Sequence, residues 1–80
     1  LRGVKVFPNP VKDFLNISLI SPQDGSVEIY DRKMYLRKET KIGQYEKLVS
    51  IDLTDLEGGT YYIVRVRQGQ KMYVVQVRKI

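Results

Sequence analysis

Apolar side chains recur at every second position along most of the chain. Between Phe14 and Ile20, Leu15, Ile17 and Leu19 share one side while Asn16 and Ser18 take the other. Val27 and Ile29 flank Glu28, Val49, Ile51 and Leu53 alternate with Ser50 and Asp52, and Tyr73, Val75 and Val77 alternate with Val74, Gln76 and Arg78. Period two over short segments marks strands of an antiparallel sheet with one face buried, and the enrichment in Tyr, Val, Ile and Thr supports it. The runs predicted as strands are Val4–Phe7, Phe14–Ile20, Ser26–Tyr30, Met34–Glu39, Tyr45–Leu53, Tyr61–Arg67 and Lys71–Lys79. In the sixth, Tyr61, Ile63 and Arg65 or Tyr62, Val64 and Val66 can point inward, and a β-bulge near Tyr61–Tyr62 would let the strand change faces. The one helix-like stretch, Leu53–Leu56, is about one turn long.

Turn chemistry separates the runs. Pro8-Asn9-Pro10 stops the first, because two prolines remove two backbone donors and fix φ at both. Ser21 to Gly25 is built of turn residues, Asp31-Arg32-Lys33 and Lys41 to Gln44 are polar connections, Glu57-Gly58-Gly59 is a turn, and Gln68-Gly69-Gln70 reads as a hairpin tip. Seven short strands with turns about every 8–12 residues predict an all-β, immunoglobulin-like sandwich of two antiparallel sheets. An oligonucleotide-binding barrel competes, but it uses fewer, longer strands and a helix that this chain lacks.

Composition narrows the chemistry. The chain has 80 residues, 42% hydrophobic and 29% charged, with neither cysteine nor histidine. That removes disulfides, thiolate nucleophiles, the usual zinc ligands and a neutral-pH proton shuttle. No apolar run reaches the roughly 18 residues of a membrane-spanning helix. Leu1 is not an initiator methionine, so the chain reads as a single domain, residues 1–80, cut from a larger protein. Ser18, Ser21, Ser26 and Ser50 have no histidine to activate them. Asp13, Asp24, Asp31, Asp52 and Asp55 fall in turns or on outer faces, where capping and solvation are their expected roles. Asp24 and Asp31 are the pair considered for a calcium site between loops, without the dense ligand spacing such loops carry. The reading is non-enzymatic, with no cofactor and no metal.

Fourteen basic against nine acidic residues leave a net charge of +5. Arg65, Arg67, Lys71, Arg78 and Lys79 concentrate on the last two runs, which the Gly69 turn pairs as a hairpin. Arg32, Lys33, Arg37, Lys38 and Lys41 form a central group whose expected role is to keep a sheet edge from aggregating. Six tyrosines among these cations raise a nucleic-acid reading through base stacking, but Tyr30, Tyr61 and Tyr73 occupy strand positions that a sandwich core or its rim would use. No nucleic-acid partner is expected.

Three segments carry a family pattern. Val6, Pro8, Asn9 and Pro10 form a V-x-P-N-P opening with Asp13 behind it, Asp52, Leu53, Leu56, Gly59 and Tyr61 form D-L-x-x-L-x-x-G-x-Y, and the chain closes on Val77-Arg78-Lys79-Ile80. In order and spacing these segments resemble the type A C-terminal sorting domain of type IX secretion, found on exported Bacteroidetes proteins, and the resemblance covers essentially the whole chain. The chain departs from the pattern at Asp31-Arg32-Lys33, where members often carry a glycine turn, at the doubled Tyr61–Tyr62, and at Ile80 in place of a terminal lysine.

The resemblance implies an address tag that follows a cargo domain. Such a tag crosses the periplasm and is read by the type IX translocon and its shuttle proteins. A surface sortase then usually removes it, leaving the cargo at the outer-membrane surface or secreted. Within that frame Arg65, Arg67, Lys71, Val77, Arg78, Lys79 and Ile80 are the expected recognition residues, on the terminal hairpin and its carboxyl end. Pro8, Asn9, Pro10, Asp13, Leu56, Gly59 and Tyr61 are expected to be structural, the Pro-Asn-Pro turn setting the angle between cargo and tag. An immunoglobulin-like accessory module that binds carbohydrate or a host surface is the alternative, and a long edge strand leaves room for a homodimer.

Overall fold

A computed structural model describes residues 3–80; Leu1 and Arg2 lie outside the described residues. Seven strands form: β1 (Lys5–Phe7), β2 (Phe14–Ser18), β3 (Gly25–Tyr30), β4 (Leu36–Ile42), β5 (Leu48–Asp52), β6 (Thr60–Gln68) and β7 (Lys71–Lys79). They pair antiparallel in two sheets, a three-stranded one in the order β1-β2-β5 and a four-stranded one in the order β4-β3-β6-β7. No helix is present among the described residues. The architecture is the all-β, immunoglobulin-like sandwich that the period-two pattern predicts.

The core is the set of inward positions. Leu15, Ile17, Val49 and Ile51 come from the smaller sheet, Val27, Ile29, Tyr62, Val64, Val66 and Val77 from the larger, and Val11, Leu19, Ile42, Leu53 and Leu56 close the ends. Removing each such aliphatic side chain from water stabilises the fold by about 1.5–3 kcal/mol, so a domain this small depends on nearly all of them. Tyr62 is the largest buried side chain, and it satisfies its hydroxyl by donating to the Glu57 carbonyl at 2.8 Å.

The sixth strand resolves in favour of one face. Tyr62, Val64, Val66 and Gln68 point inward, and the β6–β7 register runs without interruption from Thr60↔Lys79 to Gln68↔Lys71. There is no bulge at Tyr61–Tyr62. The irregularity lies instead between Ile29 and Tyr30, where β3 meets β4.

The largest boundary differences from the sequence pattern each have a local reason, while the remaining strand ends move by one or two residues at most. β4 starts at Leu36 rather than Met34 because Asp31 holds the preceding turn: its Oδ1 accepts the backbone N–H groups of Lys33 and Tyr35, and its carbonyl accepts that of Met34. The same strand runs on to Ile42, so Lys41 and Ile42 are strand rather than loop; Ile42 is buried, and only the charged edge around it hides the alternation. β5 starts at Leu48 rather than Tyr45, because Gly43 to Glu46 closes on itself through Glu46 N–H to the Gly43 carbonyl and Gly43 N–H to Glu46 Oε1. Leu53–Leu56 is a hydrogen-bonded turn rather than a helix, with Asp52 Oδ1 accepting from Thr54 N–H at 2.8 Å. Both of its leucines are buried.

Candidate recognition surface at the terminal hairpin

β6 and β7 are joined by Gly69 and Gln70, with Gly69 at φ +61°, a conformation that suits a residue without a Cβ. Period two then divides the basic side chains of this hairpin. Arg65, Arg67 and Arg78 stand on the outer face of the larger sheet, whereas Lys71 and Lys79 have the parity of the inward set. Lys71 is exposed because it sits at the tip; Lys79 is buried, with its Nζ donating to the Ile80 carbonyl at 3.3 Å. The expected basic ribbon is therefore split. Arg67 lies opposite Met72 and Arg78 opposite Tyr61, six residues apart along β6, or about 20 Å at strand rise.

Arg65 is already engaged. Its Nε donates to Glu28 Oε1 at 2.7 Å, its Nη2 forms an ion pair with the same carboxylate and donates to Tyr30 Oη at 2.8 Å, and the guanidinium lies 5.3 Å from the Tyr30 ring centre. The guanidinium hydrogen bond holds the Glu28 carboxyl below its ordinary value. Arg67, Lys71 and Arg78 have no carboxylate within ion-pair distance among the described residues. They are the hairpin's available positive charge.

The motif segments meet at the far end of this hairpin. Asn9 Nδ2 donates to the Gln76 carbonyl at 3.1 Å and Asn9 Oδ1 accepts the Arg78 N–H at 3.0 Å, so one side-chain amide pairs with the edge of β7 as a peptide group would. Val11 continues that pairing through its N–H to the Arg78 carbonyl and its carbonyl from the Ile80 N–H, both 2.8 Å, forming a parallel bridge with Lys79. Asp13 contributes its backbone, its carbonyl accepting the Leu53 N–H at 2.8 Å, while its side chain is exposed. Gly59, at φ +75°, donates its N–H to the Lys79 carbonyl at 2.9 Å, and a Cβ on Gly58 would come within 2.6 Å of the Ile80 carbonyl oxygen. Leu56 is buried beneath, and Tyr61 lies half-buried opposite Arg78. Pro8-Asn9-Pro10 thus fastens the tail of β7. Pro8 and Pro10, both preceded by cis peptide bonds, are exposed.

The central basic group is distributed differently. Arg37 pairs with Asp31 at 3.6 Å and Lys38 with Asp55 at 2.7 Å. Arg37, Asp31 and Asp55, with Arg32 and Lys33, line an open cleft of about 550 Å³ at one end of the sandwich. Asp24 and Asp31 stand at opposite ends of β3 and do not converge on one site; Asp31 spends Oδ1 on the turn. The tyrosines do not gather either. Tyr35 and Tyr45 are exposed at opposite ends of β4, while Tyr30, Tyr61 and Tyr73 are half-buried on the larger sheet.

Residues 5–80 match the family model described as the secretion system C-terminal sorting domain. The chain belongs to that family. In this sorting domain the Pro8–Asp13, Asp52–Tyr61 and Val77–Ile80 segments meet around the end of β7. Members of this family act as type IX secretion signals, a role that is generally non-catalytic. No curated protein and no solved structure matches the chain.

Two contributors to this arrangement are absent from the predicted site. Glu28 reads in sequence as an ordinary outward polar residue; its place opposite Arg65 follows only from the β3–β6 register. Gln68 reads as part of a hairpin tip, yet it is buried and donates Nε2 to the carbonyls of Ser21 and Gln23. Its even spacing from Tyr62, Val64 and Val66 is the signal that places it inward.

Proposed function

We propose that this chain is the sorting signal of a larger cargo protein, residues 1–80 acting as a single signal domain. It carries the cargo from the periplasm through the type IX translocon to the outer-membrane surface or the medium, where a surface sortase usually removes such a domain. The family match over residues 5–80 is the observation that carries this reading. The partners are the upstream cargo, the translocon with its shuttle proteins, and the sortase.

Recognition falls on the terminal hairpin: Arg67, Lys71 and Arg78 supply charge that steers the encounter, and Val77 to Ile80 present a tail of fixed shape. Arg65 and Lys79 act through position, Arg65 by organising the outer face with Glu28 and Lys79 by holding the tail. The domain performs no reaction. Its role rests on a rigid shape that is the same on any cargo.

The test is a fusion of these residues to a periplasmic fluorescent protein in a bacterium with a working type IX system. Fluorescence at the cell surface or in the medium is expected, and fluorescence that stays periplasmic with the tag folded overturns the proposal. Deleting the tail is a poor probe of recognition, because residues 76–80 are bonded into the fold through Asn9, Val11 and Gly59. The better variant is Arg67→Glu with Arg78→Glu, both exposed; it should block export while leaving the thermal midpoint within a few degrees, about 1 kcal/mol or less for surface charges.

A further inference from the structure

The two edges of the larger sheet are built to opposite rules. β4 carries Arg37, Lys38, Glu39 and Lys41 within Leu36–Ile42, and its pairing with β3 is irregular next to Tyr30. Charge and irregularity are the usual protections of an edge. β7 carries Met72, Tyr73, Val74, Val75 and Gln76 between its terminal cations, with no charge among them. Met72 and Val74 are 45% and 55% exposed on the outer face, and Tyr73 and Val75 are half-buried at the rim of the core. Long, apolar and regular, this is the kind of edge that pairs with another chain.

The bonds already made on that edge show which backbone groups remain. The Gln76 carbonyl, both groups of Arg78 and the Ile80 N–H face outward, taken by Asn9 and Val11. Backbone groups alternate sides along a strand, so the N–H and C=O of Met72 and Val74 and the N–H of Gln76 face the same way. Nothing among the described residues hydrogen-bonds to them. The ladder that Asn9–Val11 begin on β7 stops half-way.

We propose that the Met72–Gln76 edge of β7 accepts an extended segment of a partner polypeptide that has an apolar centre and acidic ends. The charge argument comes from Arg67 and Lys71 at one end of the open stretch and Arg78 at the other, none of them neutralised among the described residues. The apolar centre follows from the edge itself, since a strand laid there would cover Val74 on one face and Tyr73 and Val75 on the other. A second copy fits poorly. A two-fold dimer pairs β7 antiparallel with itself, and centring the pair on Val74 sets position 70 of one copy opposite Arg78 of the other, where Asn9 already sits. The hairpin tip and Asn9 would compete for the same space.

This inference goes beyond the export reading and does not depend on it. The probe is the capped peptide Asp-Val-Thr-Val-Thr-Val-Asp, with a lysine-ended counterpart, added to the 80-residue chain and followed by amide hydrogen exchange. Slowed exchange at Met72, Val74 and Gln76 is expected with the acidic-ended peptide, and weaker protection with the lysine-ended one. Val74→Pro removes an edge donor without touching the β6 ladder and should weaken binding by about tenfold or more, whereas Val74→Ala should stay within about threefold of the parent. Should Val74→Pro not fold, peptides N-methylated in one alternating phase or the other make the same test: one phase should abolish binding and the other spare it. Unchanged exchange at those amides, equal binding by both methylated phases, or concentration-dependent protection of the same amides without peptide overturns the proposal.

Discussion

The Asn9 side chain and the Arg78 backbone are partners across nearly the whole length of the chain: Oδ1 of the first accepts the N–H of the second at 3.0 Å. With Nδ2 donating to the Gln76 carbonyl, the amide uses both of its ends on one strand edge. Asparagine is the standard side chain that best reproduces a peptide group at this reach.

Replacing Asn9 separates that role from a simple turn preference. Asn9→Ala should lower stability by about 1–2 kcal/mol, two exposed hydrogen bonds at the modest net worth of each. Asn9→Asp keeps the acceptor for Arg78 but sets a carboxylate against the Gln76 carbonyl. Its cost at pH 7 should therefore exceed that of alanine and shrink as the carboxyl protonates below about pH 4. Denaturant melts of both variants at pH 7 and pH 3.5 check this; equal loss at both pH values for Asn9→Asp would assign Asn9 to the turn alone.

The strands were legible because a sandwich buries one face of each, and Leu15, Ile17, Val27, Ile29, Val49 and Ile51 record that burial directly. Edges and loop ends were not. β4 buries only Ile42 fully, so its Lys41-Ile42 end looks like a polar turn, and Tyr45 resembles a strand residue although it caps an exposed loop. The motif residues were visible as a pattern without their purpose, because Asn9 and Arg78 meet only once two sheets have packed. Charge was harder still. Which of Arg65 and Arg67 is free depends on Glu28 standing opposite Arg65, a fact of register that no local spacing contains.

The Glu28–Arg65 pair predicts a pH dependence. The hydrogen bond from Arg65 depresses the Glu28 carboxyl in the fold, so its contribution is fully present above the ordinary glutamate value of about 4.3 and is lost as pH falls through the lower folded value. Glu28→Gln should therefore cost up to about 1 kcal/mol at pH 7 for a half-buried surface pair. The gap to the parent should narrow as pH falls below the ordinary glutamate value and close once it has passed the lower folded one. Salt should narrow it at pH 7 as well, through screening. A gap that stays unchanged through the whole acid titration of the fold would mean packing against Tyr30, not charge, sets the contribution of Glu28.

Gln68 offers the sharpest contrast between two nearly equal volumes. Its Nε2 donates to the Gln23 carbonyl at 2.8 Å and the Ser21 carbonyl at 3.1 Å, tying the β2–β3 loop to the end of β6, while its Oε1 is buried without a partner among the described residues. Leucine would remove both donors and relieve the unpaired acceptor, so two opposing terms act at one site. Losing donors to two carbonyls costs about 1–3 kcal/mol, and the acceptor relieved returns part of that, leaving Gln68→Leu destabilised by about 1 kcal/mol. Gln68→Glu has no such offset: it loses both donors and aims a carboxylate at two carbonyl oxygens in a buried setting. It should cost about 3 kcal/mol or more at pH 7 and recover partly in acid, when the protonated group regains one donor. Stability measured for both variants, with amide exchange along Ser21–Gly25, decides the matter, since loop amides that stay protected in Gln68→Glu would show that the turn holds itself without this side chain.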